Sequence, residues 1–310
     1  RSTLFPYTTL FRSPYSTANL GPGFDVFGLA LDAFFDEVTL TKKREGITII
    51  TADLIPTAPQ KNTAGLVAGY MKKRFKVKGG LEIKIKKGVP AGFGMGSSAA
   101  SAAATAVAFD RLFRLNLDTN TLVECAGFGE KASAGTIHYD NVSASVLGGF
   151  VIVRVRPLDV IKVLPPEDLR LCVAIPKLDV PPKKTKVSRS VVPKQIRLSD
   201  SVVNLSNAAA IVAGFVKKDS ELIGRSIKDI IVEPARKHLI PGFSAVKKNA
   251  LRAGALGVTI SGAGPSVIAF ATKRSDLDKI AKAMRAGFAS ANTDCRVVIC
   301  KPAQGARLKK

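Results

Sequence analysis

The sequence predicts an α+β protein of two lobes. Three observations carry this. Strand-like and helix-like patterns mix along the chain without regular βαβ alternation. A Pro-rich stretch at residues 157–182 interrupts them near mid-chain. At 310 residues the chain suits one large domain or two ordinary ones. The division is set at 160/161, with an N-terminal lobe over 14–160 and a C-terminal lobe over 161–310.

Residues 3–13, TLFPYTTLFRS, read as a translated sequencing adaptor. Residues 1–13 are therefore set aside as an artefact expected to have replaced a native first strand. A glycine-rich loop, YSTANLGPGFD, follows Pro14. Apolar alternation predicts strands over 37–42 and 46–52, and 3.6-residue spacing predicts an amphipathic helix over 62–75. LEIKIKK alternates apolar and charged residues, as a half-exposed strand does. Helical patterns cover 98–113 and 119–132, and GGFVIVRVR is a strand. In the second half, LRLCVAIP is a strand, and helices are predicted near 199–217, 221–230 and 243–254. LGVTI and PSVIAF form a turn-split pair of strands, and a helix over 275–288 leads to the strand CRVVIC.

Composition excludes several classes. Hydrophobic content of 46% with 23% charged residues is that of a globular protein. Four cysteines without a CxxC pair, beside only two histidines, argue against a zinc site and suit reduced thiols in a cytoplasmic protein. No apolar run is read as reaching the ~18 residues of a membrane span, so no membrane partner is expected. The net charge of +23 suits anionic partners such as nucleic acid or phosphorylated metabolites. Aromatic residues are only 6% of the chain and none is Trp, so base-stacking platforms are scarce and no specific nucleic acid is expected.

The most informative stretch is PAGFGMGSSAA, between a strand and a helix. Its glycines, Gly92, Gly94 and Gly96, let something approach the backbone closely. Ser97 and Ser98 stand at the helix start, where one can cap the helix and unpaired N–H groups favour phosphate. No Walker A pattern exists in the chain, and the Rossmann glycine fingerprint fits only loosely. A phosphate cradle of another kind is expected.

STANLGPGFD, PAGFGMGSSAA and GVTISGAGPSVIAF, in this order, resemble the three signature segments of the GHMP kinase superfamily. KNTAGLVA, HYDNVSASVLGGF and VEPARKHLIPGF are similar to its homoserine-phosphorylating branch. The resemblance runs from Pro14 to Cys300. It implies a ribosomal-protein-like N-terminal lobe and a ferredoxin-like C-terminal lobe. It implies transfer of phosphate from ATP to the side-chain hydroxyl of L-homoserine, a step of threonine biosynthesis, and a possible homodimer.

The resemblance also assigns residues. ATP lies over Pro90, Ala91, Gly92 and Phe93, then Gly94, Met95 and Gly96, then Ser97, Ser98, Ala99 and Ala100. Ser261, Gly262, Ala263 and Gly264 form the C-terminal glycine loop. Ser98 and Glu130 hold Mg²⁺. Arg189 and Arg236 take the homoserine carboxylate and Asp25 its ammonium, while Asn19, His138 and Asn141 complete the pocket. His138 is expected to orient substrate. Asn141 occupies the position where other members carry an Asp base, so no protein base is expected and the hydroxyl proton passes to phosphate or water. Two alternatives stand beside this reading: a mevalonate- or shikimate-type kinase, and a basic RNA-binding protein.

Overall fold

The structure, a computed structural model, describes residues 8–132, 137–181 and 184–309. β1 (Thr8–Ala18) and β2 (Phe27–Lys43) form a long antiparallel pair at the centre of a seven-stranded sheet. The register shifts between Pro14 and Tyr15, a bulge that bends the pair. The other edge of β2 is divided. Its C-terminal part pairs with β4 (Gly80–Lys86), itself parallel to β3 (Ile47–Ile50). Its first residues pair with β5 (Phe150–Val155), which forms a hairpin with β6 (Leu158–Val163).

Four helices cover this sheet: α1 (Thr63–Arg74), α2 (Ser97–Phe113), α3 (Thr119–Gly127) and α4 (Asp140–Leu147). α2 touches β1, β2 and the three other helices. Its alanines at 99, 100, 102, 103, 104, 106 and 108 are all fully buried, because only small side chains admit neighbours on every side.

The second lobe comprises β7 (Leu169–Pro176), α5 (Lys184–Ser190), α6 (Leu198–Lys217), α7 (Ser220–Arg225), α8 (Val232–Arg236), α9 (Phe243–Arg252), β8 (Gly257–Ile260), β9 (Val267–Thr272), α10 (Leu277–Ala289) and β10 (Cys295–Cys300). Its sheet has the order β10-β7-β9-β8, all antiparallel. Counted within the lobe that is 4-1-3-2, with α9 and α10 as crossovers: the ferredoxin-like arrangement expected. Gly287 lets α10 approach α9, since a Cβ there would lie 2.4 Å from the Cα of Val246. The other face of the sheet meets the first lobe. Tyr15, Leu29 and Phe150 share one core with Leu171, Phe215 and Phe270. The Phe150 and Phe215 rings stack 3.9 Å apart.

Several expectations need adjustment. Residues 8–13, part of the segment set aside as an artefact, form the first half of β1; residues 1–7 lie outside the described residues. The 27–36 part of β2, β6, α4, α5 and α8 were not anticipated. Residues 119–132 split into α3 and a 3₁₀ segment. The 160/161 division falls inside β6, and the chain crosses between sheets after Val163. Past β10 it returns to the first sheet as β11 (Arg307–Leu308), beside β1. All four cysteines are buried free thiols, as expected. Against expectation, α6 is long and apolar enough by length and composition to cross a membrane, though Ile211 and Phe215 bury one side of it in the shared core. Alternation of Ser, Asn and Ala with the aliphatics hides this run from inspection.

Candidate active site

A cleft of about 440 Å³ opens between the lobes. It is lined by the Asn19–Asp25 turn, the loop before α2, Glu130, the start of α4, α5, Arg236 and the C-terminal glycine loop. Asn19, Leu20 and Asp25 all have positive φ, a concentration of strained backbone typical of functional loops.

Gly92, Gly94 and Gly96 take φ values of 85°, 73° and 60°, so the loop needs glycine at all three. What approaches Gly94 is protein. A Cβ there would lie 2.2 Å from the Ser261 carbonyl oxygen. The Ser261 hydroxyl donates to the Gly94 carbonyl at 2.9 Å. At Gly96 a Cβ would meet the Ser16 hydroxyl at 2.2 Å. The sequence attributed this economy of side chain to a ligand; at Gly94 it serves contact between the two glycine loops. Neither serine caps α2: its N-cap is Gly96, with no side-chain cap bond. Ser97 instead donates to the Val89 carbonyl at 2.8 Å, pinning the two ends of the loop together. The cleft face of the loop is Ala91, Gly92, Gly94, Met95, Gly96, Ser97 and Ser98. Pro90, Phe93, Ala99, Ala100, Ser261 and Gly264 stand behind it, outside the lining.

Under the loop lies a buried polar cluster that sequence reading missed. Asp36 accepts from Lys87, from the Ser101 hydroxyl at 2.7 Å and from the Gly88 and Val89 amides at 3.0 and 3.1 Å. Lys87 also donates to the Ser97 carbonyl at 2.8 Å and lines the cleft. Glu130 is buried, and burial pushes its carboxyl up to about 7. The Asp140 charge raises it further, while a Ser98 hydrogen bond and Lys87 oppose the rise. A carboxylate and a hydroxyl in contact are hard oxygen donors, so this pair fits Mg²⁺. Among the described residues no cluster of three His, Cys, Asp or Glu could hold a metal.

At the opposite end the charged residues pair with each other. Arg189 grips Asp25 through two bonds of 2.9 and 2.7 Å. The same guanidinium lies 3.1 Å from Nδ1 of His138. Arginine only donates, so Nδ1 accepts and the ring is neutral. Burial and then the Arg189 charge hold the His138 pKa below its usual value. Arg236, 4% exposed, donates to the Ser188 carbonyl at 2.9 Å and the Gly262 carbonyl at 3.2 Å. Burial brings its pKa down to about 10. Both guanidiniums lie against the Phe24 ring, at 5.2 and 5.0 Å. Asn19 is committed to the scaffold: it donates to the Gly262 carbonyl at 2.9 Å and accepts from the Asp25 amide at 3.1 Å.

The Asn141 side chain accepts from Ser16 at 3.0 Å. Its neighbour Asp140 also lines the cleft, 4% exposed, with burial raising its carboxyl to about 6. Asp140 lay in a quoted segment but no local pattern marked it. Lys184 likewise escaped notice. It donates to the Gly92 carbonyl at 3.2 Å, and burial followed by the Arg236 charge lowers its ammonium to about 7. Ile55, Pro56, Lys61, Asn62 and Thr63 close the remaining end of the cleft.

Two lobes of this topology meet at a glycine-loop cleft suited to a small phosphorylated ligand. The chain matches the N-terminal domain of GHMP kinases over residues 62–149 and their C-terminal domain over 211–290. It therefore belongs to the GHMP kinases. It is 44% identical to the homoserine kinase of Thermoplasma volcanium over 256 residues, 83% of this chain and 82% of that one. It is 38% identical to that of Saccharolobus islandicus over 303 residues, covering 96% and 97%. The crystal structure of the Cytophaga hutchinsonii homoserine kinase superposes with a TM-score of 0.92 at 39% identity, covering 100% and 99%. Within the GHMP kinases, the chain belongs to the homoserine kinase family.

Proposed function

We propose that the protein transfers the γ-phosphoryl group of ATP to the side-chain hydroxyl of L-homoserine, forming O-phospho-L-homoserine for threonine biosynthesis. The observation that supports this most is the Asp25–Arg189 ion pair with Arg236 beside it. An amino-acid zwitterion entering there exchanges one ion pair for two: its carboxylate takes the arginines and its ammonium takes Asp25. Once the pair opens, the arginines and Asp25 each keep a counter-charge; a neutral alcohol offers neither, and a purely anionic one leaves Asp25 without one. His138 stays neutral and orients, as its contact with Arg189 requires.

In this reading ATP lies along the loop from Ala91 to Ser98, with its base toward Ile55 and Asn62. Ser98 and Glu130 would hold Mg²⁺, which when bound would supply charge neutralisation on the phosphates. Lys87 and Lys184 add positive charge along the same wall. Asn141, already an acceptor for Ser16, orients the acceptor hydroxyl. Cytoplasmic location and a homodimer accompany the proposal.

Proton removal has two readings. The hydroxyl proton passes directly to phosphate if no side chain serves. Asp140 favours the other: it is buried, faces the cleft, and its carboxyl at about 6 is near the working range of a general base. An acid limb in the kcat profile that disappears in Asp140→Asn selects the second reading; an unchanged profile selects the first. The activity itself is tested with Mg-ATP and L-homoserine, mevalonate and shikimate, following ADP release. Turnover with homoserine alone is expected. Preference for mevalonate or shikimate, or RNA binding without turnover, overturns the proposal.

A further inference from the structure

We infer that Lys184 is the mobile phosphate ligand of this cleft, leaving the Gly92 carbonyl for the phosphate chain when ATP enters. The inference rests on the kinase reading above and deepens it by naming a switch in how the nucleotide is held. Among the described residues three lysines line the cleft: Lys61, Lys87 and Lys184. An ammonium carries three N–H donors. Lys87 has an acceptor for each, in Asp36, the Ser97 carbonyl and the Ser101 hydroxyl, so it belongs to the scaffold under the loop. Lys61 is exposed. Lys184 is half-buried, yet its one acceptor among the described residues is the Gly92 carbonyl at 3.2 Å. No described carboxylate pairs with it, and two of its donors are left for a ligand.

Its placement suits the exchange. The segment entering α5 lies against the start of the glycine loop, since a Cβ on Gly92 would sit 2.8 Å from Val180. Val180, Pro181, Lys184 and Thr185 all line the cleft there. The Gly92 carbonyl is a neutral acceptor, whereas a phosphate offers several anionic oxygens and a charge-assisted bond roughly twice as strong. The helix is anchored independently of Lys184. The Ser188 hydroxyl donates to the Ala263 carbonyl at 3.1 Å, and the Ser188 carbonyl accepts from Arg236 at 2.9 Å. Only the Lys184 side chain has to move.

The exchange carries a proton with it. Burial, followed by the Arg236 charge on α8, lowers the Lys184 ammonium from 10.5 to about 7. A phosphate chain supplies the missing counter-charge and returns the group toward its ordinary value. At pH 8 Lys184 is then mostly neutral in the free protein and protonated in the complex. Nucleotide affinity is therefore full below about pH 7 and declines as pH rises above it. Asp25, Lys87, Glu130, His138 and Asp140 are titratable groups lining the same cleft, and a bound anion acts on them too. The signature of Lys184 is the part of the proton uptake that vanishes with its ammonium alone.

The test is isothermal titration calorimetry of Mg-ATP into the full chain at pH 7 and pH 8. Buffers of different ionisation enthalpy, Tris and HEPES, count the protons taken up. Lys184→Met should bind Mg-ATP about tenfold to a hundredfold more weakly at pH 7. Its proton uptake at pH 8 should fall below that of wild type by most of one proton. Lys184→Arg keeps a charge that does not titrate, so it should bind as tightly at pH 8 as at pH 7 and show the same loss of uptake. Proton uptake unchanged in both variants, with or without weaker binding, overturns the inference and leaves Lys184 a staple of the loop. If wild type phosphorylates homoserine and Lys184→Met binds Mg-ATP as wild type does, the inference falls and the kinase reading stands. A wild type that binds no Mg-ATP overturns both.

Discussion

Glu130→Gln should make the protein more stable at alkaline pH while disabling it. Burial raises the Glu130 carboxyl from 4.5 to about 7. Each pH unit of such a rise corresponds to about 1.4 kcal/mol, so holding the ionised form costs the fold about 3 kcal/mol. The sign follows from linkage. The native state binds this proton more tightly than the unfolded chain, so the associated stability is full below pH 4.5 and is lost as pH rises through about 7. Glutamine keeps the shape and cannot ionise. Urea unfolding of the metal-free proteins at pH 5 and pH 8 measures the effect. The two should be nearly equal at pH 5, and the variant should gain about 2–3 kcal/mol at pH 8. Turnover with Mg-ATP should drop by at least about a hundredfold, because the proposed Mg²⁺ site would lose its charged protein ligand. Parallel stability curves, with the variant no better at pH 8, would show that Glu130 is not buried as described. Wild-type turnover at saturating Mg²⁺ would remove it from the site.

Three further outcomes test the remaining contacts. Gly94→Ala should lose at least about 2 kcal/mol of stability, from left-handed strain of about 1–2 kcal/mol plus the clash with the Ser261 carbonyl. Gly46→Ala has nearly the same φ in open space and should show the strain alone; equal losses for the two would deny the loop-to-loop contact. Arg236→Lys cannot reproduce bonds to both Ser188 and Gly262, and one charge-assisted bond is worth about 1.5–3 kcal/mol. Its kcat/KM for homoserine should fall about tenfold to a hundredfold with ATP affinity within about twofold, and a loss confined to ATP would reassign the residue. Asp25→Asn should raise KM for homoserine more than it lowers kcat, since the proposed binding mode gives Asp25 the ammonium and not the reacting hydroxyl; a pure kcat effect measured by steady-state kinetics argues against this placement.

Much of the scaffold was legible because its signals are local. Alternation in LEIKIKK marks β4, and the small-residue run after Gly96 marks α2. β2 was read only over its second half, since its opening FGLAL is buried at every position, its first three residues lying between β1 and β5, and shows no alternation. α4 and α5, at 8 and 7 residues, are too short to display a helical period, and they carry Asn141 and Arg189. Their positions came from family likeness and not from any pattern of their own.

The sequence by itself determined three closely spaced glycines before a small-residue helix and a second glycine loop, while the charges suited to a zwitterion were named only by family likeness. It could do so because backbone conformation and side-chain chemistry belong to single residues and their neighbours. Only the tertiary structure decided how those groups engage. Asp25 and Arg189 are 164 residues apart and clasp each other because the lobes share a core. Gly94 is small to admit Ser261, 167 residues away, as well as to line the cleft. Asp140 and Glu130 have raised pKa values because docked elements exclude water from them. Ion pairing, close packing and desolvation each depend on what the fold brings near, and linear spacing carries no record of that.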